Sequence, residues 1–88
     1  MRKPELKVFV QPSCPACPVV KEAARRVARK YGLPFVEVDV STEDGQIEAL
    51  MYNVCSTPSV ALGDEVLFRG PVSEEELERE VRRRLGRP

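Results

Sequence analysis

Eighty-eight residues, with fourteen Lys+Arg balanced by fourteen Asp+Glu for a net charge of +0, allow one compact domain and give no long-range pull toward nucleic acid or an anionic membrane. Apolar residues at 42% and charged residues at 32% match ordinary globular usage, which argues against a disordered or membrane-embedded chain. Histidine is absent, so Ser–His and Cys–His pairs and imidazole metal ligands are excluded, and the three cysteines are too few and too odd in number for a disulfide scaffold.

The charged N-terminal stretch leads into an apolar run of only three residues, Val8 to Val10, far short of a signal-peptide core or a membrane span. The chain therefore reads as a soluble cytoplasmic protein. Residues 6–11 are β-branched and aromatic around one lysine and are ended by Pro12-Ser13, which predicts a first strand. From Pro15 to about Lys30 the apolar residues Val19, Val20, Ala23, Ala24, Val27, Ala28 and Tyr31 recur at helical spacing. Gly32 is placed to cap that helix and Pro34 to prevent its continuation. Residues 35–40 alternate, Val36, Val38 and Val40 against Phe35, Glu37 and Asp39, as a strand with one partly wet face at a sheet edge does.

Ser41 or Thr42 can cap a short helix over roughly 43–52, with Ile47, Leu50 and Met51 as its expected buried stripe. Ser59–Leu62 and Glu65–Arg69, joined around Gly63-Asp64, predict an antiparallel hairpin. Ser73 and Glu76 have capping-box spacing at the start of a last helix. That helix carries a core stripe of Leu77, Val81 and Leu85, and Glu75/Arg79, Glu78/Arg82 and Glu80/Arg84 are spaced for ion pairs along it. The order is βαβαββα, an α/β fold in which a four-stranded mixed sheet is flanked by helices, in a single domain over 1–88.

Cys14-Pro15-Ala16-Cys17 falls at the junction of strand one and helix one, where both thiols are expected in the first helical turn. Free backbone N–H groups and the positive end of the helix dipole favour a thiolate there. Cys14, nearest the loop, is expected to be the more exposed and acidic thiol and hence the nucleophile, with Cys17 placed to reach back to it as the resolving thiol. Pro15 suits the first helical position, whereas Pro18 deletes a donor near the end of that turn.

With Pro18 behind the pair, Thr57-Pro58 ahead of the hairpin and Arg69-Gly70-Pro71 ahead of the last helix, nearly the whole chain resembles the thioredoxin/glutaredoxin superfamily. It is most similar in these features to the small thioredoxin-like or glutaredoxin-like proteins of archaea and thermophilic bacteria, with their Cys-Pro-x-Cys-Pro motif. The resemblance implies a thioredoxin-like fold and a dithiol–disulfide oxidoreductase that reduces or exchanges protein disulfides. It implies Cys14 and Cys17 as the redox-active pair, Pro15 and Ala16 as supporting residues of the motif, and no cofactor beyond the Cys14–Cys17 disulfide. By the same resemblance Pro58 would be a cis-proline facing the cysteine pair, and the backbone of Thr57 would pair with an extended segment of the substrate. The implied partners are protein disulfides and a thioredoxin-reductase-like or other electron donor; the chain is expected to be a monomer with no metal, nucleic-acid or membrane partner. Where thioredoxins carry tryptophan before the first cysteine this chain has Ser13, and where they bury an acidic residue in the strand leading to the motif its only ionisable residue is Lys7.

The same cysteines suit other chemistry. A zinc site would need Cys55 and a carboxylate to complete a tetrahedron. A soft-metal module for copper or zinc would also place its C-x-x-C between strand one and helix one, but copper carriers have methionine two residues before the first cysteine, where this chain has Pro12. In an adaptor the thiols would be incidental. Cys55 reads as a small, partly buried packing residue, or as a regulatory or metal-trapping thiol close to Cys14.

Overall fold

A computed structural model describes residues 3–86. The elements are β1 (Leu6–Val10), α1 (Cys17–Tyr31), β2 (Phe35–Asp39), α2 (Glu43–Met51), β3 (Ser59–Leu62), β4 (Glu65–Arg69) and α3 (Glu74–Arg84). They form one sheet in the order β2-β1-β3-β4, with β1 parallel to β2 and the other pairs antiparallel. The predicted mixed sheet is thus observed, with β2 at an edge. Among the described residues no helix is long and apolar enough to cross a membrane.

β1 is central and buried along its whole length, so both of its faces must be covered. Its alternation divides the core. Leu6, Val8 and Val10 join Val60 and Leu62 of β3 against Val20, Ala24, Val27 and Ala28 of α1 and Leu77 and Val81 of α3. Phe9 joins Val38 and Ala61 against Ala49 of α2, its ring edge-on to that of Tyr52 at a centroid distance of 5.4 Å. Two helices therefore cover one face of the sheet and α2 covers the other.

Three expectations are corrected here. α1 begins at Cys17 and not at Pro15. A start at Pro15 would put Pro18 at the fourth helical position, where a backbone N–H is required; a start at Cys17 puts it at the second, where none is needed. Second, the expected stripe of α2 is not buried: Leu50 is 76% and Met51 74% exposed, with Ile47 exposed beside them. The small residues Gly45 and Ala49 face inward instead, one helical turn apart. Third, Glu75–Arg79 is not among the ion pairs of the described residues, whereas Glu78–Arg82 and Glu80–Arg84 form.

Glu78 does more than brace its own helix. It accepts from Lys30 at 2.7 Å, from the Tyr31 hydroxyl at 2.7 Å and from Arg82 at 3.2 Å, which ties the end of α1 to α3. These hydrogen bonds, Lys30 first and Tyr31 next, hold its carboxyl down at about 2. A carboxyl lowered below its unfolded value of about 4.3 stabilises the fold above that value, and this contribution disappears as pH falls through the folded one. The expected result is a melting temperature that falls more steeply between pH 5 and pH 2 in the native protein than in Glu78→Gln; parallel pH profiles would remove Glu78 from the account.

Candidate active site

The two segments flanking the cysteines explain their position. Val10 ends β1, and the chain turns through Gln11–Ala16, with the Cys14 amide donating to the Gln11 carbonyl at 3.2 Å and the Cys17 amide to the Cys14 carbonyl at 3.4 Å. Cys14 therefore sits in a tight turn immediately before α1, and Cys17 is the first helical residue. The expectation that both lie within the helix holds only for Cys17. Their Cα atoms are 5.4 Å apart and the two sulfurs lie at bonding distance as a disulfide.

Among the described residues α1 is also the one helix of three that opens without a side-chain cap or an acidic residue in its first turn. α2 opens with Thr42 accepting from the Gly45 amide, followed by Glu43 and Asp44. α3 opens with Ser73 accepting from the Glu76 amide, followed by three glutamates. The positive end of α1 is left uncompensated beside Cys14, where a thiolate would supply the missing negative charge. In the disulfide state both cysteines are covered, Cys14 at 8% exposure and Cys17 at 3%. Cys14 is the more accessible of the two, as predicted, although neither is broadly exposed.

The pair opens on a groove lined by Val10, Gln11, Pro12, Pro18, Lys21, Glu37 and Asp39. On the other side of Gln11 a second groove is lined by Val40, Ala49, Leu50, Val54, Cys55 and Thr57. Gln11 lines both grooves, so the two adjoin at this residue. The Thr57–Pro58 peptide bond is cis and Pro58 is buried. Among the described residues Thr57 makes no backbone–backbone hydrogen bond, so its amide and carbonyl are free for a partner strand. Pro15 is exposed in the turn, and Ala16 is the residue that precedes the helix.

Cys55 is a free, exposed thiol, not a packing residue. It lies in the irregular segment after α2 and lines the second groove, while among the described residues no group of three or more Cys, Asp or Glu is gathered as a metal site. Lys7 points away from the sulfurs. Its ammonium donates to Glu48 and, at 3.2 Å, to the Tyr52 hydroxyl, and lies 4.6 Å from the centre of the Tyr52 ring. Burial opposes its charge, but the Glu48 and Tyr52 hydrogen bonds outweigh that and hold its pKa above the ordinary lysine value. Glu37 and Asp39, beside the cysteines, were not singled out from the sequence as site residues. Their shared parity in β2 placed them on one face, but only the sheet order shows that this face is the one the cysteines occupy.

The sequence matches the thioredoxin domain family over residues 4–82. It is 31% identical over 81 residues to a probable thioredoxin of Archaeoglobus fulgidus, covering 92% of this chain and 89% of that one. A thioredoxin of Methanocaldococcus jannaschii is 29% identical over 86 residues, covering 97% of this chain and 100% of the other. Among solved structures, a variant thioredoxin of Halobacterium salinarum shares the fold with a TM-score of 0.80 at 20% identity, over 93% of this chain and 74% of that one.

Proposed function

The chain belongs to the thioredoxin domain family and is a protein disulfide oxidoreductase, and from that premise we propose that Cys14 is the attacking nucleophile and Cys17 the resolving thiol. What carries the reading is the bonded pair at the uncapped N-terminus of α1, with Cys14 in the preceding turn and bordering an open groove. In the reduced protein the Cys14 thiolate attacks one sulfur of a substrate disulfide, and the other sulfur leaves as a thiolate. Cys17, having lost its proton, then attacks the Cys14 sulfur of the mixed disulfide. The second substrate thiolate is released and the Cys14–Cys17 bond is formed. A dithiol reductase or another electron donor returns the pair to thiols. The redox centre is the disulfide itself.

Substrate is held on the Thr57 side. The unpaired Thr57 amide and carbonyl supply main-chain hydrogen bonds to an extended segment, a recognition mode that needs no particular side chains. The apolar lining of the adjacent groove, Val40, Ala49, Leu50 and Val54, takes a residue flanking the attacked cysteine. Pro58 closes the base of this segment, Pro15 and Ala16 space the two thiols, and the whole chain, 1–88, acts as one domain.

The experiment is a trap. Cys17→Ser, expressed in cells and isolated after acid quenching, should hold substrate proteins in mixed disulfides that reductant dissolves, and Cys14→Ser treated identically should hold none. Equal capture by both variants would transfer the attack to another thiol.

A further inference from the structure

The resolving step has a requirement that the two cysteines do not meet alone. Cys17 is 3% exposed, and only its thiolate can attack the mixed disulfide, so its proton must be taken by a group inside the groove. Building on the Cys14 and Cys17 roles proposed above, we propose that Glu37, held by Lys21, accepts that proton.

The alternation of β1 removes the other candidates. Leu6, Val8 and Val10 are the β1 side chains on the cysteine face, and Val60 and Leu62 are those of β3, none of them ionisable. Lys7 is on the opposite face, engaged by Glu48 and Tyr52. β2 is the strand that brings carboxylates to the groove, Glu37 and Asp39, and α1 brings one cation, Lys21; the loop contributes the uncharged Gln11 and Pro12. Arg25, one turn further along α1, is occupied by the face of Phe35 at 5.0 Å and by Glu22 at 3.4 Å.

The two carboxylates are not equivalent. Asp39 accepts hydrogen bonds from the Ser41 hydroxyl at 2.7 Å and the Ser41 amide at 2.9 Å. Those bonds, the hydroxyl first, stabilise its charged form and hold its pKa below the usual carboxylate range, which makes it the poorer base. Among the described residues Glu37 has no such partner: its contact is the Lys21 ammonium at 3.6 Å. Lys21 lies four residues after Cys17, hence on the same helix face one turn on, about 5–6 Å away between Cβ atoms. One cation thus stands next to both the acid that takes the proton and the sulfur that becomes negative. The Cys17 S–H bond breaks as its sulfur attacks Cys14, the proton passes through the groove to the Glu37 carboxylate, and the pair of electrons of the Cys14–substrate bond leaves with the substrate thiolate. Glu37, with its side chain 41% exposed, then returns the proton to solvent.

The two steps separate with an aromatic disulfide reagent that releases one coloured thiolate when Cys14 attacks and a second when Cys17 resolves. In a Cys55→Ser background, which removes the free exposed thiol, Glu37→Gln should leave the first release within about twofold and slow the second about tenfold or more at neutral pH. The deficit should shrink as pH rises, because hydroxide then takes over removal of the Cys17 proton. Glu37→Asp should recover part of the second phase, and Lys21→Met should slow that phase alone. An unchanged second phase across the pH range in Glu37→Gln, or equal slowing of both phases, would overturn the proposal. Cys14→Ser and Cys17→Ser report on the parent reading separately: the first should lose both releases and the second only the later one, whatever Glu37 does.

Discussion

Replacing Cys14 by serine is expected to lower the rate at which the protein catalyses reduction of a model protein disulfide by dithiothreitol by about a thousandfold or more. An alcohol cannot take over: the reaction needs a sulfur that is anionic near neutral pH and that can form an S–S bond, and a serine hydroxyl supplies neither. Nor is Cys17 a substitute. It is the first residue of α1, in one core cluster with Val20, Ala24 and the β1 side chains, and it is less exposed than Cys14. Cys55 is exposed but lines the neighbouring groove, not the one that holds Cys14 and Cys17, and it belongs to the irregular segment after α2 and not to the start of a helix. Cys55→Ser should therefore turn over within about twofold of the native protein. A Cys14→Ser variant that keeps a tenth or more of the activity would move the attack to one of the remaining thiols.

The strand limits were legible where a residue that cannot continue the strand follows it. Pro12, Gly63-Asp64 and Gly70-Pro71 bound the strands, and the observed limits fall within a residue of those read from the alternation. Gly32 likewise caps α1 in the left-handed conformation, at φ 65°. The start of α1 was less legible because two prolines compete for the first turn, and the sequence pattern favours the earlier one. Hydrogen bonding decides for Cys17, and the decision matters chemically, since it places Cys14 outside the helix and in line with its positive end.

α2 shows where periodicity misleads. Ile47, Leu50 and Met51 satisfy helical spacing and would be the buried stripe if side-chain volume alone set the rotation of the helix. Close approach sets it instead: glycine and alanine at positions 45 and 49 let the backbone of α2 lie against the end of β2, and the large apolar residues turn outward, Leu50 into the lining of the groove at Thr57. The sulfur pair could be read from four consecutive residues. Glu37 could not, because a face of an edge strand has no identity until the sheet order is known.

That close approach makes a sharp prediction about Gly45. In an exposed helix glycine is worse than alanine by about 1 kcal/mol, so Gly→Ala ordinarily stabilises. Here a Cβ on residue 45 would lie 1.8 Å from the Asp39 carbonyl oxygen and 2.9 Å from Thr42 Oγ1. The first obstacle is backbone, fixed because β2 is hydrogen-bonded to β1 up to Val10 and Asp39, and cannot rotate away as a side chain would. The second is the cap itself, since Thr42 Oγ1 accepts from the Gly45 amide at 2.9 Å while donating to the Asp39 carbonyl at 2.9 Å. Displacing α2 to relieve the overlap opens the Phe9–Ala49 core and costs the cap, worth about 1 kcal/mol on its own. Overpacking of this kind costs about 1–3 kcal/mol, so Gly45→Ala should destabilise by about 2 kcal/mol after the helix-propensity gain is deducted. The neighbouring exposed Gln46→Ala should change stability by less than about 0.5 kcal/mol. Denaturant titrations of both variants decide the matter. A Gly45→Ala midpoint at or above that of the native protein would mean that α2 can lift from β2 freely, and the wall it forms beside Thr57 would then be a movable one.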